Sequence, residues 1–218
     1  MSRARSFTVS RRSRTAMVVA CAAMAMVAVT AHARAASGRV VVRIYDTANV
    51  AAEVRGAALR EAARILDEAG VAIAWHDCTS GTDVLQCGKS PDNWNLIVRI
   101  VPTFVPGSPA RSAVRAGAAG APLGLAVFDP DMHGDAMATL FEEQILTVAA
   151  RVNADRGALL GRALAHEVGH LLLLASGHSR TGLMRAVWTD AELAENRPDD
   201  WVFAPADRRR LQLNSSPR

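Results

Sequence analysis

The chain has 218 residues, and its hydrophobic half is enough to build one domain with a sizeable core. Its 25 basic and 21 acidic residues give a formal net charge of +4. Six arginines (Arg3, Arg5, Arg11, Arg12, Arg14 and Arg34) lie in residues 1–35, which hold no acid, so the remainder carries 19 basic against 21 acidic residues, a net of −2. The basic excess belongs to the first 35 residues, and charge therefore predicts no nucleic-acid partner.

Residues 1–14 are basic, residues 15–30 carry no charge, and Ala31-His32-Ala33-Arg34-Ala35-Ala36-Ser37 offers small residues for a cut after Ala33 or Ala35. That order of parts is the order of a secretory signal peptide. The apolar run is short for a bilayer span of roughly 20 residues, which favours cleavage over anchoring. Residues 36–218 are thus expected to form a single secreted or periplasmic domain with no stable membrane span. Cys21, after Val18-Val19-Ala20, loosely resembles a lipoprotein cleavage box and leaves a membrane-tethered lipoprotein as an alternative.

In the mature region, Val40-Val41-Val42-Arg43-Ile44-Tyr45 reads as a first strand. Residues 51–69 carry Val54, Ala58, Ala62, Ile65 and Leu66 at helical spacing, ended by Gly70. Strands follow at 71–75 and 95–101. Between them, Cys78 and Cys87 bracket a polar, turn-rich stretch and are expected to close a disulfide loop; two free thiols are the alternative. The strand, helix, strand, strand order predicts an α+β domain, with a helix packed across a mixed sheet. Residues 102–121 read as a long surface loop, 123–128 and 136–141 as short strands, and 142–152 as a helix, with a strand as the alternative. Asp155 can cap a helix over 156–176, apolar on so many sides that it should be buried, with Gly177 as its stop. A last short helix is expected over 205–213, with Arg208-Arg209-Arg210 as a solvated face.

The buried helix contains His166-Glu167-Val168-Gly169-His170. Histidines four apart on a helix are separated by about 40° around its axis, so both rings project from one face and can reach one metal ion. Neutral imidazoles suit Zn²⁺. Glu167 is too awkwardly placed to complete that chelate; its carboxylate can instead take a proton from a metal-bound water and pass it to a leaving group. Two histidines and a glutamate on an apolar helix would be costly to bury without partners, which argues against a chance match.

The run from His166 through Gly177-His178-Ser179 to Gly182-Leu183-Met184 resembles the zinc site of the metzincin clan of zinc peptidases. The resemblance implies Zn²⁺ held by His166, His170 and His178, Glu167 as general base, Met184 in a turn beneath the metal, and a peptide or protein substrate. It also implies an edge strand above the cleft to pair with that substrate, with 123–128 or 136–141 in the role. His178 falls eight residues after His170, where the clan has six, and Leu173 stands where the clan has glycine. The spacing predicts an active helix that runs further before the chain turns back. A carboxylate such as Glu192 or Glu195 is the alternative third ligand. Against the peptidase stands a non-catalytic zinc-binding or protein-interaction module of the same fold, though such a module has no need of Glu167. His76 and His133 are isolated. A calcium site among Asp129, Asp131 and Asp135 is conceivable, with a solvated loop the simpler reading. Arg185 is expected in a salt bridge, and Trp188 and Trp201 in the core.

Overall fold

Short apolar runs rich in β-branched residues form the sheet, because such side chains fit a pleated surface, and alternate positions of 96–100 and 136–140 are buried under the helices. The computed structural model describes residues 39–79, 87, 95–104, 115–116, 120–129 and 135–215, all within the unit Gly38–Arg218. The expected leader and most of the 102–121 loop lie outside the described residues. In chain order the elements begin with β1 (Val40–Asp46), α1 (Ala52–Glu68), β2 (Ile73–Asp77), β3 (Asn95–Val101), β4 (Arg115–Ala116), β5 (Gly124–Val127) and β6 (Asp135–Phe141). They continue with α2 (Glu142–Val152), α3 (Arg156–Leu173), β7 (Val187–Trp188), α4 (Asp190–Glu195), a 3₁₀ turn (Pro198–Trp201) and α5 (Pro205–Ser215).

The main sheet has the order β2-β1-β3-β6-β5. β1 runs parallel to β2 and β3, β3 runs parallel to β6, and β5 alone is antiparallel, paired to β6 with Gly124 opposite Leu140. Parallel neighbours need a crossover, and α1 supplies it between β1 and β2. The expected architecture is observed: a mixed sheet with helices packed on it and one buried helix. Two details differ. The second strand lies two residues later than expected, so that it includes His76. The 136–141 strand is interior, held between β3 and β5, and cannot be the edge strand; β5 holds that place.

α3 is the spine of the molecule. The carboxylate of Asp155 accepts from the Ala158 N–H at 2.7 Å and so starts the helix as expected. From Leu159 to Leu173 every side chain is buried, and the helix packs against α1, α2, β5, β6 and α5. A helix apolar on all sides belongs in the centre of a fold. Trp188 and Trp201 are buried beside it with rings edge-to-face at 5.3 Å, and Arg162 lies 4.3 Å over the Trp201 ring. Cys78 and Cys87 are disulfide-bonded at the end of β2, which is compatible with an oxidising compartment. Among the described residues no helix is long and apolar enough to cross a membrane.

Candidate metal centre

His166, Glu167 and His170 are all fully buried on α3. Four-residue spacing puts the two imidazoles on one face, with ring centroids 4.7 Å apart and Nε2 atoms 3.0 Å apart. His178 arrives from the loop after the helix, its ring centroid 5.4 Å from His166 and 4.8 Å from His170. Ligand atoms of the three lie within 4.8 Å of one another, and among the described residues they are the one such group of three or more.

The path to His178 differs from expectation. α3 ends at Leu173, and its stop is Leu174 in the left-handed region at φ 48°, rather than Gly177. Leucine pays about 1–2 kcal/mol for that conformation. The offset is tertiary: the His170 Nδ1–H donates to the Ala175 carbonyl at 2.7 Å, and Leu174 packs against the core. The histidine that would face the metal thus folds the chain back. The two extra residues before His178 lengthen the loop, not the helix.

Below the rings, the Leu183 carbonyl accepts from His166 Nδ1 at 2.8 Å and from Trp188 Nε1 at 3.2 Å. Met184 is buried against α3 itself. A Cβ at Gly169 would sit 2.8 Å from Met184 Sδ and 2.8 Å from Phe203 Cε1, so the glycine between the two histidines is what admits the methionine.

Carbonyl oxygens only accept, so both Nδ1 atoms must carry protons in the neutral rings. Both Nε2 lone pairs then face each other at 3.0 Å. A cation between them relieves that opposition. Tetrahedral Zn²⁺ with Zn–N near 2.0–2.1 Å would set ligand nitrogens about 3.3 Å apart; the helical pair stands at 3.0 Å, and the three ligand atoms lie within 4.8 Å of one another. Carbonyl-anchored Nδ1 atoms are also the usual support for a ligating imidazole. The donor set fits zinc.

Burial pushes His166 well below the ordinary imidazole range, with the neighbouring His170 adding to the shift. Burial likewise lowers His170 from 6.5 to about 4, against the raising effect of its bond to Ala175. Both rings are therefore neutral at pH 7 and ready to ligate. A consequence follows for the metal-free protein. Above pH 6.5 the His170 ring is neutral in both states and its full contribution to stability is present. As pH falls from 6.5 towards 4 the unfolded chain takes up the proton first, and the fold loses about 3 kcal/mol from His170 alone. His166 acts in the same direction. Urea unfolding in a chelator at pH 7.5, 5.5 and 4.0 measures this, and a flat profile would contradict it.

Glu167 points its carboxylate at the edge strand. A Cβ at Gly124, the first residue of β5, would lie 2.9 Å from Glu167 Cγ and 3.1 Å from its Oε1. Of the other candidates, Glu192 is occupied by the Thr189 N–H at 2.7 Å, the Thr189 hydroxyl at 2.8 Å and Arg185. Glu195 pairs with Arg197 at 2.7 Å. Neither joins the histidines. Arg185 also donates from Nε to the Gly182 carbonyl at 3.0 Å, and so braces the turn before Met184. His76 lies on β2, the opposite edge of the sheet. Asp129 is exposed, and Asp131 and His133 lie outside the described residues. Trp188 and Gly124 were not singled out as site residues from sequence. The one signal for Gly124 was a glycine opening an apolar strand, which often marks a close approach.

No family model and no curated protein matches this chain. Among solved structures, a zinc-dependent peptidase from Methanocorpusculum labreanum (strain Z) is similar, at 15% identity and a TM-score of 0.48, over 78% of this chain and 99% of that one. At that distance the likeness carries no residue assignment, and the site stands on its own geometry.

Proposed function

We propose that the protein is an exported zinc-dependent peptidase related to the metzincins, in which His166, His170 and His178 hold Zn²⁺ and Glu167 is the general base. The observation that carries this reading is the convergence of three imidazoles beside a buried glutamate whose carboxylate lies against the sheet edge. A zinc ion in this position supplies Lewis acidity, polarising a carbonyl and lowering the pKa of water. Glu167 takes the proton from the attacking water and returns it to the departing amine. His166 and His170 keep their Nδ1 protons on backbone carbonyls throughout, which fixes their orientation. Among the described residues β5 is the edge strand of the sheet beside Glu167, where an extended peptide can add as a further strand. Met184 forms the floor of the turn below the site. Glu167 itself counts against a purely structural zinc module, because holding the metal does not require it. The basic, apolar and small-residue order of residues 1–37 supports export, as does the disulfide.

The test is a mixed peptide library incubated with zinc-loaded protein and read by mass spectrometry. Cleavage is expected, lost in a chelator and restored by zinc. Stoichiometric zinc with no cleavage of any peptide would overturn the peptidase reading.

The contact at Gly124 gives a second expectation. Gly124→Val drives side-chain atoms into Glu167 and Leu140, which a Cβ alone would approach to 2.9 and 2.8 Å respectively. Displacing a catalytic group by an ångström costs on the order of 100-fold. We expect kcat to fall by about that factor with zinc content unchanged. Parallel loss of zinc would contradict this assignment of the contact.

A further inference from the structure

His178 sits on a loop with no regular structure, so helical hydrogen bonds cannot hold it as they hold His166 and His170. Helix α5 braces that loop from both ends. Asp207, in its first turn and nearly buried, accepts from the Ser179 hydroxyl at 2.5 Å, a bond spanning 28 residues. On the next turns Arg210 donates to the Leu173 carbonyl at 3.2 Å and Asn214 to the Leu172 carbonyl at 2.9 Å. These two side chains cap the last carbonyls of α3, which no helical N–H can reach. The contacts therefore straddle the segment 172–179, which leads from the helix bearing the first two histidines to the third. Ser179 is further pinned by its N–H on the Met184 carbonyl at 2.8 Å. Leu211 on α5 is fully buried, so the brace is anchored in the core.

We infer that Asp207, acting through Ser179, is a positioning residue for the metal site, and that it raises zinc affinity by holding His178 against the other two rings. This rests on the zinc-site reading above. Outer-shell groups bonded directly to a ligating histidine are worth about 10–100-fold in metal affinity; Asp207 acts one residue further out, so the lower end of that range sets the scale.

The test is the zinc dissociation constant, measured by chelator competition on the purified protein in a double-mutant cycle. Asp207→Ala is expected to weaken zinc about tenfold in the wild-type background and less than about twofold in His178→Ala, because the effect passes through that ring. Asp207→Asn, whose amide oxygen still accepts the Ser179 hydroxyl, should recover most of the loss. If Asp207→Ala fails to fold, Ser179→Ala removes the same bond and replaces it in the cycle. Gln212→Ala, which removes a bond to the Ala69 carbonyl at the end of α1, should leave zinc affinity unchanged. An equal loss in both backgrounds, or no loss in the wild type, would overturn the positioning role alone. If His178→Ala binds zinc as tightly as wild type, the metal-site reading falls, and the positioning role with it.

Discussion

Replacing Glu167 with glutamine should lower kcat by about 1,000-fold while leaving one zinc per chain. Glutamine keeps the size and one carbonyl oxygen of the side chain but cannot take up a proton at neutral pH. A general base is worth roughly 10²–10⁴-fold, which sets the scale. Glutamine matches the buried Glu167 side chain in size, so the fold is expected to be kept, with the melting temperature as its check. That pairing of lost turnover with kept zinc and kept stability separates a catalytic carboxylate from a structural one. Turnover within about threefold of wild type would remove Glu167 from the chemistry.

The largest effect on binding is expected at the third histidine. Zinc sites with four protein ligands are worth about 10–16 kcal/mol, so one ligand accounts for roughly 2.5–4 kcal/mol. His178→Ala should therefore weaken zinc by about 10²–10³-fold. Glu192 is the control, because it was the alternative ligand by sequence and is instead held by Thr189 and Arg185. Glu192→Gln should change zinc affinity by less than about twofold. The reverse pattern, a strong effect at Glu192 and none at His178, would replace the three-histidine centre with a two-histidine, one-carboxylate one.

The elements of the fold that local pattern controls were legible in the sequence. Buried strands announce themselves as apolar runs, and α3 as an apolar helix capped by Asp155 and carrying histidines four apart. The rest is decided by single long-range contacts that leave no local trace. Gly177 is the obvious helix stop, yet the chain turns at Leu174 because His170 reaches the Ala175 carbonyl. Two short apolar strands compete for the sheet edge, and only non-local pairing makes β6 interior and β5 the edge. Arg208-Arg209-Arg210 reads as a solvated face, but Arg210 caps the Leu173 carbonyl. Likewise Trp188 reads as a core anchor, while its Nε1 shares the Leu183 carbonyl with His166. The candidate site follows the same division. The two helical histidines and Glu167 come from one five-residue pattern, whereas the contacts that orient them come from Gly124, Ala175, Leu183 and Asp207, far apart in the chain.

X-ray absorption at the zinc edge of the purified protein tests the centre most directly. The three-histidine site predicts one zinc per chain, with three imidazole nitrogens at about 2.0–2.1 Å and one oxygen ligand in a four-coordinate shell. A protein that retains no zinc after loading, or a shell built from oxygen or sulfur alone, would contradict it.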